Sequence, residues 1–384
     1  MTGLRSLMAL AVGLLFPLLT WGEEHTIVAA DTVAWQRDDY VKASLLIAEP
    51  SAEVYSLFGH CALRLQCPSQ QMDYCFTFET STDTKGILRF LRGDAKGGFM
   101  AAQTEDSFAA YQEAGRSVAQ YELNLTPSEK LRLWKAVDDE LAAGFNRHYD
   151  YLHTHCTSMI VALVQQASRE PIIYNNLPEQ LRGSFRHVLL TTSRYPWSTF
   201  FWQTVMGPAA DATEPLEHKL VPVLLPEVWQ RAGVIKDTEI PHSSFRAKRD
   251  SSFFILYSSF LLLVLCITMG QLFAGWNRLP RLLDFTLVAV HTLTAIFLSW
   301  LVLFSRLEAT QWNWYLLAFN PLPQLAGVIS RRWDTVCQCT LCTLLAVLLL
   351  TPFIPQLDLP HALLIGGFAV RLAARNHTTH NTYR

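Results

Sequence analysis

The sequence predicts an α+β exported domain, a short antiparallel sheet with helices, followed by an all-α transmembrane bundle. Two observations predict this division. Only 17% of the 384 residues are charged, below the roughly 25% of an average soluble protein, and the deficit is concentrated between Ser251 and Val370. Before it, alternating apolar runs and one strong helix-start signal between Val41 and Val164 have the periods of strands and helices packed together.

From the N-terminus, Met1 to Gly22 reads as a secretory signal: Arg5, an apolar run from Leu7 to Leu19, then Thr20-Trp21-Gly22 with small residues at the cleavage positions. An uncleaved anchor is the alternative, and either would export the segment beyond Gly22. Residues 23–250 are then the exported domain. Val41 to Ala48 is an apolar run suited to a strand, and Ser51 to Gly59 a polar turn with a short helix. Cys61 to Leu65 alternates as a strand with His60 at its start; Tyr74 to Phe78 and Ser117 to Leu125 are two more. Thr126-Pro127-Ser128-Glu129 is a capping box with proline at the first helical position, opening a helix to about Ala143. A second helix begins near His155-Cys156-Thr157 and carries Met159, Ile160, Leu163 and Val164 on one face.

The transmembrane bundle is expected over residues 251–375, with spans near 253–274, 283–304, 313–329, 336–354 and 359–373 and a cytoplasmic tail at 376–384. Asn320-Pro321-Leu322-Pro323 interrupts the third, so that stretch reads as a broken helix lining a cavity. Arg278, Arg281, Arg331, Arg332, Arg371, Arg375 and Arg384 mark the cytoplasmic side by the positive-inside rule, which places residues 23–250 in the periplasm of a multi-pass inner-membrane protein. Arg246, Lys248 and Arg249 oppose that orientation. Asp284, His291 and Asn320 are the candidate membrane polar site. The plainer readings are an interfacial residue for Asp284 and a hydrogen bond to a neighbouring helix for His291.

A net charge of −2 gives a nucleic-acid partner no electrostatic support. Of eight cysteines, Cys266, Cys337, Cys339 and Cys342 read as small packing residues of the spans. Cys61, Cys67, Cys75 and Cys156 lie where disulfides can form, and their spacings match no zinc motif. Cys67 and Cys75 flank a short turn and could staple a hairpin, although spacing leaves the connectivity open. No metal or cofactor is expected.

The chemistry rests on Cys156 and His60. A helix start lowers a thiol pKa, and a thiol nucleophile needs a base within reach. His60 could be that base if its strand lies against the Cys156 helix; His153 and His155 are rivals. Buried filler and a plain turn before a strand are the alternatives for Cys156 and Phe58-Gly59-His60.

Several blocks carry a resemblance. Tyr55-Ser56-Leu57-Phe58-Gly59-His60-Cys61-Ala62-Leu63-Arg64, Gly115-Arg116-Ser117-Val118 with Leu123-Asn124-Leu125, and Tyr149-Asp150-Tyr151 with His155-Cys156-Thr157-Ser158 resemble the Lnb-type lipoprotein N-acyltransferases. So do Gly207 to Asp211, Val221-Pro222 with Leu225, and Asp284 and Trp314 with Asn320-Pro321-Leu322. The resemblance implies a permuted papain-like thiol domain of the NlpC kind and a five-span membrane part. It implies a membrane-bound acyltransferase in which Cys156 takes an acyl chain from phospholipid as a thioester and passes it, with His60 as base, to the N-terminal cysteine amine of a lipoprotein. Two departures bear on the third polar residue: His155 stands for the family's Asn, and Asp73-Tyr74-Cys75 for its Asn-Tyr-Gly strand. Ser56 and Arg64 are further supporting candidates. An envelope thiol hydrolase with the same pair, and a non-catalytic binder of lipid or a partner, are the other readings.

Overall fold

The computed structural model describes residues 40–53, 56–82, 86–213, 215–236, 252–272, 279–322, 329 and 333–382. The signal-peptide assignment over residues 1–22 lies outside them. Six strands form one antiparallel sheet: β1 (Lys42–Ala48), β2 (His60–Cys67), β3 (Met72–Thr80), β4 (Lys96–Gln103), β5 (Val118–Glu122) and β6 (Arg147–His148), in the order β5-β1-β2-β3-β4-β6. Helices α1 (Ile87–Arg92), α2 (Thr104–Glu113), α3 (Pro127–Ala143), α4 (Cys156–Ala167), α5 (Phe185–Thr192), α6 (Pro196–Val205) and α7 (Leu225–Arg231) surround it.

Side-chain alternation sorts the sheet into two faces. Leu45 and Ile47 of β1, Cys61, Leu63 and Leu65 of β2, and Phe76 and Phe78 of β3 join the main core with Leu133 and Val137 of α3 and Ile160, Leu163 and Val164 of α4. On the opposite face, Leu46, Ala62 and Cys75 form a thinner cluster against Phe108 of α2. The α3 capping box is present in full: Thr126 accepts from the Glu129 N–H, and the Glu129 carboxylate accepts from the Thr126 N–H at 2.8 Å.

The proposed hairpin staple is absent. Cys67 pairs in register with Met72, while Cys75 lies opposite Arg64, donating its thiol hydrogen to Thr104 Oγ1 at 3.4 Å. Cys61, Cys67, Cys75 and Cys156 are all free thiols.

The C-terminal half corrects the sequence reading. Helices α8 (Ser252–Leu272), α9 (Leu279–Phe304), α10 (Tyr315–Ala318), α11 (Trp333–Leu350) and α12 (Leu359–Thr382) fall on the stretches expected to span. Among the described residues, however, no helix is long and apolar enough to cross a membrane. Among the described residues, the third expected span holds one helical turn, Tyr315–Ala318, which ends before Asn320-Pro321. The second carries Arg281 and Asp284 near its start, and the last runs on through Arg371, Arg375 and Asn376, so its final turns are polar. The five-span bundle, the multi-pass topology and the orientation argued from the arginine-bearing connectors are therefore overturned. The tail expected from residue 376 is the end of α12. Cys266, Cys339 and Cys342 are exposed on their helices rather than packed between them.

Of the three candidate membrane polar residues, His291 and Asn320 have side chains among the described residues. His291 Nε2 meets the Ala318 carbonyl of α10 at 3.1 Å, with Phe319 and Phe368 around the ring, which is the plainer reading of that residue. Asn320 Oδ1 accepts from the Leu322 N–H at 2.9 Å and shapes the chain after α10. The Asp284 side chain lies outside the described residues.

A buried polar network joins this half to the segment that precedes it. Arg186 of α5 is 2% exposed and pairs with Asp211 at 2.6 Å, with Gln203 Oε1 at 3.0 Å and with the Gly207 carbonyl at 2.7 Å. Gln356 donates to the Asn313 side chain at 2.8 Å, and Asn313 donates to the Val205 carbonyl at 3.0 Å. The Gly207–Asp211 block picked out in the sequence is thus the acceptor set for one buried guanidinium.

Candidate active site

Three local structures meet at one end of the sheet. The first is the turn into β2. Gly59 has φ +87°, and a Cβ there would stand 2.5 Å from the Ala48 carbonyl oxygen, so only glycine lets the chain double back against β1 and deliver His60 as the first residue of β2. Ser56 braces the same turn: its carbonyl accepts from the Ser51 and Gly59 N–H groups, both at 2.9 Å, and its hydroxyl accepts from Arg116 at 3.2 Å. Arg116 also donates to the Glu49 carbonyl at 2.7 Å. Gly59→Ala is expected to cost about 1–3 kcal/mol of stability and to displace His60. A denaturant titration checks the first effect; the rate of Cys156 alkylation checks the second.

The second is the start of α4. His155 is its N-cap: Nδ1 accepts from the Ser158 N–H at 3.4 Å, while the His155 N–H donates to Ser158 Oγ at 2.9 Å. Cys156 is therefore the first helical residue and is buried, 5% exposed. Cys61, on the core face of β2, has its sulfur 3.6 Å from Thr157 Oγ1 and lies against the Cys156 sulfur.

The third is β3. The β2–β3 register, Ala62 opposite Thr77, brings Glu79 beside His60, with His60 Nε2 and Glu79 Oε1 3.8 Å apart. Thr77 holds that carboxylate with a 2.9 Å hydrogen bond.

Electrostatics tie Cys156 to His60. A hydrogen bond from the Cys61 thiol is the largest influence lowering the Cys156 pKa; the positive charge of His60 and hydrogen bonds from His155 and His60 add to it and outweigh burial, leaving the thiol well below its ordinary value. For His60, burial alone would lower the pKa. The Cys156 thiolate, by charge and hydrogen bond, together with Glu79, overcomes that and raises it. Cys61 moves the other way, pushed well up by burial and by the thiolate it serves. The arrangement favours a thiolate–imidazolium pair with a neutral second thiol beside it.

An apolar cavity opens beside the sulfur. His155 and Cys156 form its polar end, and Phe58, Phe90, Tyr151, Phe185, Trp202 and Met206 line its walls. The rings pack in one another's company: Tyr151 and Trp202 lie 5.0 Å apart, and Phe58 and Phe185 6.1 Å.

The chain places the remaining expected residues elsewhere. Arg64 and Asp73 form a bidentate ion pair with contacts of 2.9 and 2.5 Å, joined by Gln66, Gln120 and Thr104. Arg64 lies four residues along β2 from His60, roughly 13 Å. Its hydrogen bonds hold the Asp73 carboxyl below the usual range. Tyr74 pairs in register with Leu65, and its ring tilts against Phe76. His153 faces Asp150 at 3.1 Å and Glu308 at 3.6 Å, not the thiol. Glu79, Cys61 and the aromatic wall were missed in the sequence. Only Glu79 had a readable signal, since a hairpin closing Cys67 onto Met72 and carried to the strand ends sets it opposite His60. Among the described residues, no cluster of His, Cys, Asp and Glu is arranged to hold a metal.

Two consecutive family models match the chain: residues 33–182 match the Lnb N-terminal periplasmic domain, and residues 248–380 match the Lnb transmembrane domain. Over both stretches the chain is similar to Lnb proteins. The first match holds all six strands, His60 and Cys156, so the candidate thiol site lies within the stretch that resembles the Lnb periplasmic domain. The second covers helices α8 to α12, whose described residues include no helix able to cross a membrane, whatever that model's description. No curated protein and no solved structure matches the chain.

Proposed function

We propose that this protein is a thiol-dependent acyltransferase that takes an acyl chain from a phospholipid ester and passes it to the N-terminal cysteine amine of a lipoprotein. The observation that carries the proposal is the buried Cys156 beside His60, facing an apolar cavity: a nucleophile, a base and a lipophilic wall at one point. The Cys156 thiolate attacks the ester carbonyl carbon, a C–S bond forms, and the carbonyl π pair moves to oxygen. As that oxyanion collapses, the C–O bond to the glycerol breaks, and the His60 imidazolium gives the leaving alkoxide its proton. Acylation removes the thiolate charge that had raised His60, so burial now dominates and keeps the imidazole neutral. A neutral His60 then takes a proton from the attacking amine, the C–N bond forms, and the C–S bond breaks to restore the thiolate. The aromatic walls favour an acyl chain by about 0.8 kcal/mol for each methylene they bury.

Purified protein with phosphatidylethanolamine vesicles and a synthetic diacylated lipopeptide should yield the triacylated product by mass spectrometry. Free fatty acid without triacylated peptide would point to a hydrolase instead, and neither product to a binder.

The shifts also set a pH dependence. With the Cys156 pKa depressed, thiolate persists as pH falls below the normal thiol range. Alkylation of Cys156 by iodoacetamide, read by peptide mass spectrometry, should therefore hold its plateau into acidic solution. A Cys156 profile that rises only near the ordinary thiol pKa would contradict the ion pair.

A further inference from the structure

We propose that His155 is a catalytic residue: its Nε2–H donates the hydrogen bond that stabilises the oxyanion formed on the acyl carbonyl at Cys156, a role that rests on the acyl-transfer reading above. His155 is 7% exposed and sits at the polar end of the cavity beside the sulfur. Its two ring nitrogens have unequal surroundings. Nδ1 accepts the Ser158 N–H, which only an unprotonated nitrogen can do, so the ring hydrogen sits on Nε2. Nε2 is buried and makes no close hydrogen bond among the described residues; the group it faces is the Cys156 sulfur, whose thiolate it helps to hold. As the thiolate spends its charge in the attack it ceases to be that acceptor, and a buried donor left without a partner is costly unless something arrives to accept from it. The group that arrives at this place in the reaction is the carbonyl oxygen of the ester, which gains a full charge as the thiolate attacks.

The helix start is another source of oxyanion donors, but three of its N–H groups are already engaged. The Ser158 N–H is bound to His155 Nδ1, the Met159 N–H to the His155 carbonyl at 3.0 Å, and the Cys156 N–H faces the Tyr149 hydroxyl. The same geometry removes His155 as a rival base, because a nitrogen that already carries its proton cannot accept the thiol's. His60 has Nε2 turned toward Glu79, which leaves Nδ1 for the sulfur. The two imidazoles thus divide the work, His60 moving protons and His155 receiving charge.

The test compares His155→Ser, which keeps an N-cap oxygen but loses the ring N–H and its reach into the cavity, with His155→Asn, which keeps both a capping oxygen and an amide N–H. The probe is p-nitrophenyl octanoate, and the readout is the burst of nitrophenolate from single-turnover acylation of the full chain. Iodoacetamide alkylation at its pH plateau is the control, since displacement of iodide puts no charge on a carbonyl oxygen. His155→Ser should slow acylation by about 100-fold, and His155→Asn should recover most of that, with alkylation unchanged in both. Acylation by His155→Ser at the unaltered rate, or equal losses in acylation and alkylation, would overturn the role. If His155→Ser does not fold, His155→Asp, which caps well but cannot donate when ionised, takes its place against His155→Asn. An unaltered protein whose Cys156 alkylates as an ion-paired thiolate yet gives no burst would overturn the acyl-transfer reading itself, and this role with it.

Discussion

Cys156→Ser is expected to lower the rate of acyl transfer by about 10⁴-fold while leaving the thermal melt nearly unchanged, because a hydroxyl in the place of the thiol fills the same space but lacks the lowered pKa. His60→Ala should cost a comparable factor. The double variant should be little worse than either single one, since nucleophile and base act as a unit. Among the described residues neither rival histidine is free to replace His60: His153 is held by Asp150 and Glu308, and His155 spends its accepting nitrogen on the helix cap. Near-full activity in His60→Ala would therefore remove the pair from the mechanism.

The second large effect concerns folding. Arg186→Leu is expected to destabilise the protein by about 3–5 kcal/mol, read as a fall in the denaturant midpoint. The loss would strand the Asp211 carboxylate, the Gln203 side chain and the carbonyls of Met206 and Gly207 around an apolar side chain. Arg186 is next to Phe185 on α5, and Phe185 lines the cavity beside Cys156, so acyl transfer should fall before the protein unfolds. A midpoint within about 1 kcal/mol of the unaltered protein would show that the network contributes little.

Local signals in the sequence were the reliable ones. The Thr126–Glu129 capping box and the alternation from Cys61 to Leu65 need only near neighbours, and both appear as read. The β4 strand was invisible because Gly97, Gly98, Ala101 and Ala102 have poor strand propensity. Its reason is tertiary: a Cβ at Gly97 would stand 2.5 Å from the Phe78 ring, so the small residue is required by a neighbour distant in the chain. The spans failed for a related reason. Hydropathy ranks a stretch as apolar without seeing where its helix stops, and the single turn of α10 and the polar end of α12 show how far the two can differ.

The site was legible only in part. Cys156 at a helix start could be argued from local pattern, but its meeting with His60, 96 positions away, rests on sheet topology, and spacing alone left several bases open. The resemblance singled out Asp73, which lies at the other end of β3 from Glu79. What separates them is register: Asp73 falls beside Gln66 at the far end of β2, whereas Glu79 falls beside His60.

The central claim is that acyl transfer passes through Cys156. Its most direct test is intact-protein mass spectrometry after incubation with phospholipid and no amine acceptor. The account predicts a gain of one fatty acyl group on Cys156, released by neutral hydroxylamine as expected of a thioester and absent from Cys156→Ser. Acyl transfer to an added lipopeptide by a protein that never carries this adduct, with no free fatty acid to show its rapid hydrolysis, would contradict a covalent step at Cys156.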